Sequence, residues 1–190
     1  VYGILKHPNH YINNNNNKSN SIGVIGGNGY TICSGSFDNS IRLWDVETAK
    51  ELTVFKGYKG YVRSVKYLPN ETNTICSGSE DKSVRLWDIR SNKEIRVFEG
   101  HNNNNNSDGT SIINSNVICS GSYDNTIRFW DIRTNKQLHM IKGNDEDDGI
   151  ISLQFLPFRN KEKGSKNTND SIYNVNLCYC SAKSMIRIWG

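Results

Sequence analysis

His101, Ser120 and Asp124 are the ingredients of a nucleophilic triad, in which an imidazole oriented by a carboxylate activates a serine hydroxyl. An enzyme needs one such set. Here the serine and the acid return twice, as Ser34 with Asp38 and Ser77 with Asp81. The histidine does not return: Tyr58 stands at its place in the second copy and an asparagine-rich tract in the first. No Gly-x-Ser-x-Gly elbow presents a serine on a strand-to-helix turn. Recurrence at fixed spacing points to architecture, so these residues are expected to hold a repeated unit together, and no enzymatic activity is expected.

The other reactive side chains read the same way. Cys33, Cys76 and Cys119 fall at one repeated position beside apolar residues, which suits small buried hydrophobes. No Cys-x-x-Cys pair is present to hold a metal, and no cofactor is expected. Arg42, Arg85, Arg128 and Arg187 form a second ladder. Their stems are expected to pack between units, with a phosphate-binding row as the alternative. The formal charge of +4 is mild and argues against a nucleic-acid stripe. No run approaches the roughly 18 apolar residues of a membrane span. Five cysteines without a secretory signal predict an intracellular, reducing compartment, cytoplasm or nucleus.

The elements that position these residues repeat every 43 positions, as Trp44, Trp87 and Trp130 show. The second unit parses into "YVRSVKYL" (61–68), "TICSGS" (74–79), "SVRLWDI" (83–89) and "EIRVF" (94–98), separated by turn residues. Four short strands per unit of this length is the spacing of a propeller blade. The expected class is therefore all-β, with four blades over 18–56, 57–99, 100–142 and 143–190. The last blade is degenerate and lacks its own outer strand.

The phrases "SGSFDNSIRLWD", "SGSEDKSVRLWD" and "SGSYDNTIRFWD", with Gly100–His101 before the third, resemble WD40 repeats. That resemblance implies a β-propeller, partial at this length, since seven blades would need about 300 residues. It also implies a hydrogen-bonded tetrad, complete in the third blade as His101, Ser120, Asp124 and Trp130. The second blade would keep Ser77, Asp81 and Trp87, and the first Ser34, Asp38 and Trp44. In the fourth, Asn144, Tyr179 and Lys183 replace His, Ser and Asp. Residues 1–6 align with the outer strands of later units, so they are expected to complete the last blade as a clasp. Asparagines at 102–106 replace inner-strand residues of the third blade, whose innermost strand is expected to be weak or absent. Either the chain is incomplete, or it is an arc that associates with another copy to complete a ring.

By the same resemblance the function expected is that of a scaffold, holding peptides or domains of other proteins on the face that displays the loops leading into each blade. The partner-binding candidates there are Phe37, Tyr61, Arg63, Glu80 and Tyr123, residue types of which the aromatics and arginine dominate interface energetics. No small-molecule substrate is expected. Two alternatives stand. One is a chromatin-type adaptor, because "SGSFDNSIRLWDVETAKEL" resembles a repeat in the WD40 subunit of histone methyltransferase complexes. The other is a basic surface for nucleic acid or phospholipid, built from the arginines and the loop at 159–170.

Overall fold

The repeated Asp-x-Ser/Thr triplet shapes each blade. In Asp38-Asn39-Ser40 the carboxylate accepts bonds from the Ser40 N–H (3.1 Å) and the Ser40 hydroxyl (2.5 Å). The middle residue takes a left-handed conformation: Asn39 at φ 63°, Lys82 at 71° and Asn125 at 59°. That conformation closes a tight turn between two antiparallel strands.

A computed structural model of the chain describes residues 2–6, 31–68, 73–102, 109–114, 116–159 and 173–189. Within them lie three four-stranded antiparallel sheets and one three-stranded sheet. The first contains β1 (Tyr2–Lys6), β2 (Thr31–Gly35), β3 (Ser40–Asp45) and β4 (Glu51–Lys56). The second contains β5 (Val62–Tyr67), β6 (Thr74–Ser79), β7 (Ser83–Asp88) and β8 (Lys93–Glu99). The third contains β9 (Gly109–Asn114), β10 (Val117–Gly121), β11 (Thr126–Asp131) and β12 (Lys136–Lys142). The fourth contains β13 (Ile150–Arg159), β14 (Tyr173–Ser181) and β15 (Ile186–Trp189).

Two expectations are corrected. β1 does not clasp the last blade: it pairs antiparallel with β2, Leu5 opposite Cys33, in the innermost slot that β5 fills in the second sheet. An open β2 edge offers the same unpaired N–H and C=O groups that the last sheet would, and an extended segment satisfies either. The inner strand β9 of the third blade is present. It begins beyond the asparagines, and Thr110 sits opposite Ser120 where strict repetition would place Asp108. The strand slides downstream, and the link to the next strand shortens to two residues, 115 and 116, against six in the second blade. The stretch at 18–30, assigned above to the first blade, lies outside the described residues.

The core lies between sheets. One cluster joins Ile41, Leu43 and Phe55 of the first sheet to Val65, Ile75 and Trp87 of the second. The next joins Val84, Leu86 and Phe98 to Ile118 and Trp130, and the third joins Cys119 and Ile127 to Ile150, Leu153 and Leu177. A ladder irregularity precedes Trp44, Trp87 and Trp130 alike. A bulge there re-aims the indole, and Trp87 and Trp130 lie against Phe55 and Phe98 of the preceding sheet, each at 5.7 Å between centroids. Glycine is required where the seams are tightest. A Cβ on Gly35 would lie 2.7 Å from the Val62 carbonyl oxygen, and one on Gly121 would lie 2.6 Å from Ile150. Backbone bonds cross these seams, from Val62 N to Ser36 O (3.0 Å) and from Ile150 N to Ser122 O (2.9 Å).

Candidate functional site

The triad-like set of the third blade is assembled. His101 Nε2 lies 2.8 Å from Ser120 Oγ, His101 Nδ1 lies 3.0 Å from Asp124, and Trp130 Nε1 donates to Ser120 Oγ at 2.8 Å. Indole can only donate and carboxylate only accept. With a neutral imidazole, the chain runs from Trp130 through the Ser120 hydroxyl and the His101 ring to Asp124, every polar atom satisfied. Ser120 has no exposed surface and His101 is 4% exposed, so the hydroxyl faces no solvent. The arrangement acts as a fastener: His101 on the loop leading into the blade is tied to β10 and β11.

Burial by itself would raise the Asp124 carboxyl, but hydrogen bonds from His101, Thr126 and the Asn102 N–H outweigh it and hold the group far below the ordinary range. A carboxyl depressed in the folded state contributes stability above its unfolded value, about pH 4, and loses it as pH falls toward the folded value. Wild type is therefore expected to lose stability on acidification below about pH 4 more steeply than Asp124→Asn, in chemical denaturation at stepped pH.

The other blades fasten differently. In the second, the Tyr58 hydroxyl replaces imidazole, 2.6 Å from Ser77 Oγ, which also accepts from Trp87 Nε1 at 2.9 Å. Asp81 is held instead by the Lys59 N–H (3.1 Å) and by Arg85 (3.0 Å), whose guanidinium lies 4.5 Å from the Tyr58 ring centroid. Burial drives the Tyr58 phenol far up. In the first blade Trp44 Nε1 donates to Ser34 Oγ at 2.9 Å and Arg42 pairs with Asp38 at 2.6 Å. In the fourth, Asp147 is the residue that sequence reasoning missed. It is fully buried, accepts from the Tyr179 hydroxyl (3.0 Å) and pairs with Arg187 (2.8 Å). The signal for it was Lys183: a cation at the usual acid position leaves Arg187 needing a carboxylate from elsewhere, and the "DEDD" run was the nearest source.

The head groups of the arginine ladder pair with carboxylates, Arg42 with Asp38, Arg85 with Asp81 and Arg187 with Asp147, while Arg128 bonds Gln137 at 2.6 Å and lies 3.9 Å from Asp124. The repeated cysteines are fully buried, and burial pushes the Cys33 thiol up to about 12.

Of the partner-binding candidates, four come together across the first seam. Phe37 caps the β2–β3 turn and meets Tyr61 edge-on, ring centroids 4.6 Å apart. The Arg63 guanidinium carbon lies 5.2 Å from the Phe37 centroid and 6.0 Å from that of Tyr61. Glu80 fixes Arg63 through both Nε (2.7 Å) and Nη2, and its own N–H donates to the Tyr61 carbonyl at 2.9 Å. Phe37 is 46% and Tyr61 43% exposed. Tyr123 stands apart, at the third seam. Its ring lies against Gly149, the counterpart of Tyr61, beside a concavity of about 480 Å³ lined also by Asp124, Asp145 and Asp148.

The family profile described as "WD domain, G-beta repeat" matches residues 14–45, 49–88 and 92–131, and the chain belongs to the WD40 family. Each matched repeat from residue 49 onward is offset by one strand from a sheet, so that 49–88 spans β4 to β7 and bridges two blades. Among solved structures, the computationally designed Ika4 protein has the same fold at a TM-score of 0.61, with 23% identity over 84% of each chain. A search of curated protein sequences finds no match. WD40 repeats generally mediate protein–protein interactions and are typically non-catalytic scaffolds. No helix among the described residues is long and apolar enough to cross a membrane.

Proposed function

We propose that the chain is a non-catalytic, intracellular scaffold that grips a peptide segment of a partner protein on the Phe37–Tyr61–Arg63–Glu80 platform. The observation that carries this reading is the pre-ordering of the platform: two exposed aromatic rings in edge contact beside a guanidinium whose geometry Glu80 fixes. Rings with few rotors that are already placed lose little freedom on binding, which is how a small patch gains affinity. A bulky apolar side chain of an extended peptide suits the rings, and backbone carbonyls suit the arginine edge. The burial of the third blade's tetrad supports a structural rather than catalytic role for the Ser–His–Asp set. Five unbridged cysteines support a reducing compartment. The pairing of the arginine ladder with carboxylates favours a protein partner over a polyanion.

The test is selection of peptides from a displayed random library on wild-type protein, with affinities then measured by fluorescence anisotropy. Phe37→Ala and Tyr61→Ala are each expected to weaken binding about 30-fold or more, the scale of a hot-spot residue. Both are exposed, so thermal unfolding is expected to move little. Peptides that bind the double variant as tightly as wild type would overturn the reading.

A further inference from the structure

The strand at the outer end of a sheet keeps one row of N–H and C=O groups unpaired, and that row is a template for another strand. β4, β8 and β12 hold that place in the three four-stranded sheets, and among the described residues no strand pairs with their outer edges. An edge lies in the plane of its sheet, so it stays open whatever packs on the two faces. Such edges are ordinarily guarded by charged side chains or by burial. Along β8 lie Glu94, Arg96 and Glu99. In β4, Leu52, Thr53 and Val54 are half-buried and Phe55 is buried. β12 has neither guard. Of its seven residues, Lys136–Lys142, all but Ile141 are exposed, and no Asp, Glu, Lys or Arg lies between the two end lysines. Leu138 is 56% and Met140 45% exposed. Two residues apart, they share one face of the strand, while the His139 ring between them lies 6.1 Å from that of Phe129.

The ends of the three edges also differ in sign. β4 runs from Glu51 to Lys56 and β8 from Lys93 to Glu99, with opposite charges at the two ends, whereas β12 has a lysine at both. Lys142 meets Asp145, but the two side chains are 68% and 83% exposed, so water screens the pair. We propose that β12 takes up an extended segment of a partner protein as a fifth strand, apolar at alternate positions and acidic at both ends. Backbone bonds along the edge supply affinity and side chains supply selectivity. Leu138 and Met140 make the apolar contacts, the unbranched methionine adapting to the shape it meets. Lys136 and Lys142 match the two acids, whereas the acidic end of β4 or of β8 repels one of them. The edge belongs to the third sheet and the peptide platform to the seam between the first two, so this site and the proposed function stand or fall separately.

The probe is a capped, fluorescein-labelled peptide, Glu-Val-Thr-Ile-Thr-Val-Glu, whose like-charged ends serve either strand direction. Anisotropy titration with the 190-residue chain is expected to show saturable binding. Leu138→Glu/Met140→Glu is expected to weaken it about 10-fold or more, with thermal unfolding little moved because both positions are exposed. Should that double variant unfold early, Met140→Glu alone replaces it. A probe with proline for its central isoleucine, which removes a ladder N–H, is expected to bind as poorly, and so is one with lysine for both glutamates. Amide exchange over residues 136–142 is expected to slow when the probe is added, and Phe37→Ala/Tyr61→Ala is expected to bind it as wild type does. Absence of binding, undiminished binding by the double variant or by either altered probe, unchanged exchange, or loss of binding in Phe37→Ala/Tyr61→Ala would each overturn the proposal. So would a wild-type chain that light scattering shows to be dimeric and that becomes monomeric in the double variant, since a second copy then holds the edge.

Discussion

Trp87→Ala is expected to cost about 3–5 kcal/mol of unfolding free energy, the usual range for removing a buried tryptophan, read as a lower urea midpoint. Trp87 is 2% exposed and sits in the cluster that joins the first two sheets, against Phe55 and Tyr58, both with centroids at 5.7 Å. Its removal empties the seam and also takes one hydrogen bond from Ser77. In a repeat array, stability is a sum of units and the interfaces between them. The loss should therefore appear as earlier detachment of the first sheet, while the third seam keeps its protection in hydrogen exchange. A midpoint unchanged from wild type would mean that the seam does not hold the sheets together.

Ser120→Ala and Ser34→Ala are expected to differ although they delete the same atom at the same repeat position. Ser120 Oγ lies between His101 and Trp130, which are 4% and 3% exposed, and its loss strands two buried ring nitrogens. Each buried group left unsatisfied costs about 1–3 kcal/mol. Among the described residues, the tetrad partner of Ser34 Oγ is Trp44, whose side chain is partly exposed, so water replaces the hydroxyl. There the expected cost is below about 1 kcal/mol. Equal losses in parallel thermal melts would show that the fastening is set by the serine itself rather than by what surrounds it.

Much of this was legible beforehand because its causes are local. Alternating apolar residues bounded by Asp-x-Ser/Thr turns make hairpins wherever they occur, and a fixed period of tryptophans places those hairpins in equivalent sheets. The complete tetrad of the third blade and the partial sets of the first two were implied by the resemblance to WD40 repeats, carried over position by position. Four of the five surface positions that the resemblance implied lie together because Phe37 and Glu80 share a turn position while Tyr61 and Arg63 begin the adjoining strand. Tyr123 shares that turn position too, but its neighbour is Gly149 rather than a second aromatic ring, so no platform forms there.

By itself, then, the amino-acid sequence determined the strands, the repeat, the buried fasteners and the pieces of the platform, since each depends on residues within one unit or at its edge. Tertiary structure alone decided which segment fills an innermost slot. β1 completes the first sheet rather than the last, and β9 slides past its asparagines, because backbone edges bond any extended segment and carry no address. It also decided that Asp147 replaces the missing acid of the fourth blade. A carboxylate buried beside Arg187 and Tyr179 needs only proximity and charge, and proximity across 40 residues of chain is a property of the fold.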